Sequence, residues 1–299
     1  ENGYLLGENG QIIQLRGMSL FHSQIPEGSI FYNEETIQAL KCSWNVNIIR
    51  ACLGVMNYGQ SGYLVDKNKE TKKVKDVIDA AIKLGIYVLV DFHYTGNQLY
   101  TNESKQFFQE ISAEYKGIPN LLFEIMNEAV NIPWKTLKQY HETIIPVIRE
   151  NSPDAIIICS TPEYDQNLLE AYNDPITNFN NNIMYTLHFY TSEPGSELLR
   201  SSVENILQKK FPLFVTEYGL SLGTGGGGCN KYEMNIWWQM LDKYKVSYIN
   251  WSISNKSESS AALIPGSTSA DVGNDSHLTE SGSYVKQMLK NKQSAPIGC

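Results

Sequence analysis

The chain has 299 residues, 42% of them hydrophobic and 19% charged, with a net charge of −8 at neutral pH. That acidic balance argues against a nucleic acid as partner, because phosphates need a basic surface, and it leaves neutral polymers open. No apolar run approaches the roughly 20 residues of a membrane span, so no membrane is expected as a partner either.

In chain order, the sequence opens Glu1-Asn2-Gly3 without an initiator Met and reads as a mature or trimmed product. Asn9-Gly10, between Tyr4-Leu5-Leu6 and Gln11-Ile12-Ile13, signals a hairpin. Short β-rich runs then recur at residues 12–18, 46–53, 86–93, 121–127, 155–159, 183–190, 213–218 and 246–253. Their spacing, about thirty to forty residues, is the length of one strand–helix unit. Helical periodicity fills the gaps. Val74, Val77, Ile78, Ala81 and Ile82 share one face, as do Leu137, Tyr140, Ile144, Ile145 and Ile148, and Met234, Trp237, Trp238 and Leu241. Mostly apolar strands alternating with helices predict a parallel sheet covered outside and closed, an α/β fold of the (β/α)8-barrel kind. The N-terminal hairpin is expected to cap the barrel bottom. No Pro-, Ser- or Gly-rich linker divides the chain, so residues 1–299 are expected to form one catalytic domain. The Gly223–Gly228 run fails the phosphate-loop pattern, because Cys229 stands where Lys belongs, and reads as a flexible loop after the seventh strand.

The five cysteines form no C-x-x-C pair, which argues against a zinc or redox motif. Cys42, Cys52 and Cys159 lie in apolar stretches and read as small buried hydrophobes. Cys229 and Cys299 lie in loop-like or terminal segments and are the better disulfide candidates. Of the glycosylation sequons, Asn102 and Asn274 read as surface sites and Asn250 as inaccessible.

In a barrel the active site lies at the C-terminal strand ends. The polar residues there are His22, Arg50, Asp91, His93, Asn127, Glu128, His188, Tyr190, Glu217, Asn250 and Trp251. Glu128 comes at the end of strand four and Glu217 from strand seven, which face each other across a barrel. A carboxylate pair of this kind suits glycosidic cleavage: one group protonates the leaving oxygen while the other attacks or stabilises the anomeric carbon. Arg50 and Tyr190 are expected to hold Glu217 ionised, and its charge to keep Glu128 protonated. Trp251 offers a flat face for sugar C–H groups. A carboxylate at a strand end is also a common structural feature, Arg50 also reads as a buried ion-pair partner, and His93 or His188 alone also reads as a hydrogen-bonded core histidine.

Leu15-Arg-Gly-Met-Ser-Leu20, Asn47-Ile-Ile-Arg50, Gly85 to His93, Asn120 to Glu128, Tyr185 to Tyr190, Phe214 to Gly219 and Asn250 to Lys256 follow one another in an order that resembles glycoside hydrolase family 5, and within it the secreted bacterial-type endoglucanases. The resemblance implies a retaining endo-β-1,4-glucanase (cellulase), secreted and extracellular, acting as a monomer on β-1,4-glucan or cello-oligosaccharides, with no metal or organic cofactor. It implies Glu128 as acid/base, Glu217 as nucleophile, and Asn127 as partner of the sugar 2-OH. Arg50 and Tyr190 would position the nucleophile, and His93 and His188 would contact substrate or the carboxylates. His22, Trp251, Lys256 and Glu258 would line the glycone side, with Tyr63 and Tyr164 as further sugar contacts. Two positions depart from the family's common pattern: Ala129 stands where Pro is usual, and Tyr218 where Trp is commoner.

Three rivals remain open. The same chemistry serves mannan, xyloglucan and mixed-linkage glucan. A metal-dependent barrel hydrolase would need clustered ligands such as His-x-His, which the sequence lacks. An inactive carbohydrate-binding barrel would not need both glutamates. No carbohydrate-binding module is visible, so weak binding to crystalline cellulose is expected.

Overall fold

A computed structural model of the chain describes residues 3–179 and 182–299; the Glu1-Asn2 start lies outside them. The apolar runs form eight strands: β1 (Arg16–Leu20), β2 (Ile48–Gly54), β3 (Tyr87–His93), β4 (Leu121–Glu124), β5 (Ile157–Cys159), β6 (Ile183–Tyr190), β7 (Leu213–Gly219) and β8 (Ser247–Ile253). Each pairs in parallel with the next, and β8 pairs with β1, so the sheet closes into a barrel. The principal helices around it are α1 (Glu34–Trp44), α2 (Lys67–Leu84), α3 (Thr101–Glu114), α4 (Trp134–Arg149), α5 (Leu168–Asn173), α6 (Ser196–Leu207), α7 (Lys231–Lys243) and α8 (Glu280–Lys292). The expected (β/α)8 architecture is therefore present. Among the described residues, no helix is long and apolar enough to cross a membrane.

Local chemistry sets the element ends. Asp66 caps α2 by accepting from the Lys69 N–H at 3.0 Å, and Gly85 ends it at φ +68°, a conformation costly for most side chains. The three periodic faces noted in the sequence turn inward: Val74, Val77, Leu137, Ile144, Met234 and Trp237 are fully buried against the strands. Trp237 stacks on Phe189 of β6 with ring centres 3.7 Å apart.

The barrel interior has two contrasting levels. At the bottom, Ile48, Leu89, Leu122, Ile158, Met184, Phe214 and Ile249, one from each of β2 to β8, form an apolar floor with Leu5 and Leu15. Leu5 arrives on the hairpin, where Leu6 bridges Ile12 and the Ile13 N–H donates to the Leu5 carbonyl. This pairing explains why β1 begins at Arg16 rather than residue 12. Residues 12–13 serve the hairpin that closes the floor.

Above the floor, β7 carries a register shift. Phe214 pairs with Thr186, yet Glu217 pairs with His188; on the other side Val215 pairs with Tyr248 and Tyr218 with Asn250. One extra residue has entered β7. Strict alternation would send Thr216 and Glu217 to opposite faces, but the bulge turns both inward.

Cys42 on α1 is joined to Cys299, with Cα atoms 5.3 Å apart. This corrects the assignment of Cys42 as a plain buried hydrophobe and of Cys229 as a disulfide candidate. Cys229 is a free, half-buried thiol, whereas Cys52 and Cys159 are buried as expected. Asn102 and Asn274 are exposed and Asn250 is buried.

Candidate active site

The two glutamates reach the barrel mouth by different local devices. Glu217 is aimed inward by the β7 bulge. Glu128 lies beyond the end of β4, where the chain leaves the barrel ladder and forms a two-residue strand, Glu128–Ala129, against Thr95–Gly96. The Glu128 N–H donates to the Tyr94 carbonyl at 3.1 Å, which ties the β4 extension to that of β3. Ala129, one of the departures from the common pattern, supplies part of this pairing. Tyr218, the other, faces outward onto Phe189 and Trp238 and does not line the cleft. Glu128 and Glu217 each place a carboxylate oxygen within 4.8 Å of the other.

Arg50 of β2 is the fixed cation beneath them, with no solvent exposure. Its Nη1 donates to Glu217 Oε2 at 2.9 Å, Nε to Glu124 Oε2 at 2.7 Å and Nη2 to Asn127 Oδ1 at 2.7 Å, and Nη2 lies 3.0 Å from Asp91 Oδ2. The fork of guanidinium donors suits this many acceptors, as an ammonium would not. Because Arg50 takes the Asn127 oxygen, the amide nitrogen is turned to Thr95 Oγ1 at 2.9 Å and keeps a second N–H. Tyr190 donates to Glu217 Oε1 at 2.6 Å; burial and the Glu217 charge hold its hydroxyl well above the usual tyrosine range, so it stays a donor.

Glu128 accepts from Thr95 at 2.9 Å through Oε2 and meets His188 Nδ1 at 2.9 Å through Oε1. Burial is the largest influence on both glutamates and raises both. At Glu128 it is outweighed by His188, whose hydrogen bond and charge hold the carboxyl below its ordinary value. At Glu217 burial prevails over His188 and Arg50, with Glu128 adding to it, and the carboxyl stands above its ordinary value. A single guanidinium divided among Asp91, Glu124 and Glu217 cannot neutralise all three. His188, a cation facing Glu128 that the sequence does not reveal, opposes the expected protonation of Glu128, while Arg50 and Tyr190 favour the ionised form of Glu217.

A cleft of about 610 Å³ opens over this centre. It is lined by His22, His93, Asn127, Glu128, Tyr164, His188, Tyr190, Glu217, Trp251, Lys256 and Glu258 among the residues singled out in the sequence. Trp251 stacks on His93 with ring planes 5° apart, and His22 packs edge-on to both. His93 shares a 2.6 Å hydrogen bond with Asp91; burial and Arg50 keep its ring well below the usual histidine range, so it is neutral. Lys256 pairs with Glu258 at 2.6 Å.

One assignment is corrected. Tyr63 is 1% exposed and packs edge-on against Phe92 and Phe107, away from the cleft. Others were missed. Glu124 and Thr216 support Arg50 and His188 from inside the barrel. Thr95, Glu193 and the glycine-rich loop at Gly223, Thr224 and Gly225 line the cleft. That loop has a built place: Glu193 accepts from the Gly223 N–H at 2.7 Å, and a Cβ at Gly225, which has φ +89°, would fall 2.7 Å from a Glu258 oxygen. Two groups, Cys52–Asp91–His93 and Glu128–His188–Glu217, bring metal-ligand atoms within 4.8 Å, but Arg50 already sits against Asp91 and Glu217.

Comparison with known proteins adds three findings. The chain is 36% identical over 293 residues to Endoglucanase A of Evansella cellulosilytica, covering 96% of this chain and 58% of that relative's length. A solved structure from Cytophaga hutchinsonii superposes with a TM-score of 0.90 at 37% identity, covering 97% of this chain and 93% of that one. The catalytic domain of Thermobifida fusca endoglucanase Cel5A, solved in complex with cellotetraose, superposes with a TM-score of 0.85 at 30% identity, covering 95% and 93%. The model of the cellulase family matches residues 6–257, and with the barrel and the facing glutamates described above it establishes that this chain belongs to glycosyl hydrolase family 5.

Proposed function

We propose that the chain forms one catalytic domain, an endo-β-1,4-glucanase that acts on cellulose or cello-oligosaccharides with retention of configuration. The observation that carries this reading is the short approach of Glu128 and Glu217, within 4.8 Å between carboxylate oxygens. Retaining glycosidases hold their carboxyls about 5–5.5 Å apart, whereas inverting ones leave about 6.5–9.5 Å for a water. Glu217, gripped by Arg50 and Tyr190, attacks the anomeric carbon as the C–O bond breaks. Glu128 delivers a proton to the departing oxygen, then takes one from the water that releases the glycosyl-enzyme. The spare N–H of Asn127 suits the sugar 2-OH, and Trp251 and Tyr164 suit sugar faces.

The substrate class follows from relatives named endoglucanases and from the cellotetraose held by the Thermobifida domain. Because this chain spans only 58% of its first curated relative, the activity is assigned to the barrel alone. The Cys42–Cys299 bridge supports secretion into an oxidising compartment. Proton NMR of the anomeric signals during cellopentaose digestion tests the reading. New β-anomer ahead of mutarotation is expected; initial α-anomer overturns double displacement, and cleavage of mannan or mixed-linkage oligosaccharides alone overturns the substrate.

A further inference from the structure

His188 is where the buried carboxyls converge. Its Nδ1 lies 2.9 Å from Glu128 and 4.0 Å from Glu217. Its Nε2 lies 2.9 Å from Thr216 Oγ1, 3.6 Å from Asp165 and 3.7 Å from Glu124. The chemistry above uses all of these except Asp165. That residue is fully buried. Its Oδ1 accepts from the Thr161 N–H at 2.6 Å, while Oδ2, the atom facing His188, has no hydrogen-bond partner. A buried carboxylate oxygen without a donor is costly unless a charge compensates it, and the imidazole is the group in reach. The backbone adds to this. Glu163, Tyr164 and Asp165 have φ of +57°, +57° and +60°, three successive left-handed residues. This turn leaves Tyr164 in the cleft and Asp165 beneath it. Such strain persists where the surroundings hold it, often at working sites.

We propose that Asp165 is a positioning residue for the acid/base: acting through His188, its carboxylate decides which side of the His188–Glu128 hydrogen bond carries the shared proton. The inference rests on Glu128 being the acid/base. Thr216 donates its own proton to Glu124 at 2.6 Å, so its oxygen accepts from His188 Nε2–H. One proton then remains between Nδ1 and the Glu128 oxygen. With Asp165 ionised it rests on Nδ1, giving an imidazolium beside a Glu128 carboxylate. On demand from the leaving oxygen, the Nδ1–H bond breaks and the Glu128 O–H bond forms, leaving neutral imidazole and a carboxylic acid. The charged groups facing the imidazole are Glu124, Glu128, Asp165 and Glu217, with Arg50, Asp91 and His93 beyond them. Burial opposes the imidazolium, but the carboxyls hold it well above the usual histidine range. Burial lifts Asp165 well above the usual carboxylate range, with His188 the largest influence in the other direction, so the 3.6 Å approach of the imidazole is what favours its ionised form.

Asp165→Asn is the test, because Asn keeps the Oδ1 acceptor and tolerates a left-handed backbone. Nitrogen-15 NMR titration of the His188 ring is run on wild type and variant, beside the pH profile of kcat/KM. Removing a negative charge loosens the shared proton, so the His188 midpoint and the alkaline limb are each expected to move down by about 1 pH unit, with KM little changed. A folded variant whose midpoint and alkaline limb match wild type overturns the proposal. If Asp165→Asn does not fold, Asp165→Ser is titrated in the same way. A wild type that cleaves no β-glucan would instead defeat the functional reading, while the ring titration still decides whether Asp165 acts on His188.

Discussion

The floor and the mouth of the barrel are built from the same eight strands and obey opposite rules. The floor places Leu, Ile, Met and Phe from consecutive strands in contact and closes over them with a hairpin. A few residues higher, the same interior holds Arg50, Asp91, Glu124, His188 and Glu217, nearly free of solvent. The floor gains from burial itself. The upper level gains only through pairing, and its five carboxyls, Asp165 and Glu128 included, outnumber the cations Arg50 and His188. Stability is therefore concentrated below and chemical readiness above, an arrangement that lets the site carry charge that a core would not tolerate.

The largest expected effect separates the two levels most cleanly. Glu217→Gln and Glu128→Gln should each lower kcat/KM on cello-oligosaccharides by about 10³-fold, while the melting temperature holds or rises, since a crowded buried charge is removed. Loss of fold in either variant would mean that the upper level is also structural. Phe214→Ala, on the floor of the same strand, should do the converse. Denaturant unfolding should show a loss of about 3–5 kcal/mol, with turnover of the remaining folded enzyme near wild type.

A pH experiment sharpens the contrast further. His141 on α4 lies outside the barrel, fully buried, with Nε2 2.9 Å from the Ser160 carbonyl. Burial lowers its ring to about 4. Because the unfolded chain binds this proton near pH 6.5, stability from His141 is present above that pH and lost as pH falls toward 4. The loss should be about 3 kcal/mol and should be absent in His141→Gln, without displacing the alkaline limb of activity. The smallest effects concern the rim. Tyr164→Ala should raise KM several-fold, at a cost of about 1 kcal/mol in binding, and Tyr63→Phe should leave KM unchanged. Equal effects from the two tyrosines would contradict their placement, one in the cleft and one under α3.

The legible parts of the molecule were those written in local pattern. Strand length, helical periodicity and the position of Glu128 and Glu217 at strand ends all follow from residues close in sequence. What escaped depended on direction or distance. Tyr63 sits in a loop, and nothing local says that its ring turns inward to Phe92 and Phe107. Glu124 lies inside an apolar strand, where its side chain meets Arg50 and Thr216 only once the barrel closes. Cys42 pairs across 257 residues, a contact that periodicity cannot signal. The pull of His188 on Glu128 also escaped, because the charge of the imidazole depends on Glu124, Glu128, Asp165 and Glu217, which only the closed barrel gathers.

The Cys42–Cys299 bond also changes what damage to this chain means. It makes a covalent ring of everything from Cys42, in the last turn of α1, to Cys299, with β2 to β8 inside it. A single cut in an exposed connection, such as the glycine-rich stretch at the cleft rim, would yield two fragments that remain one molecule. Both walls of the cleft would stay tethered after a first nick, and electrophoresis would reveal the break only in the presence of a reductant.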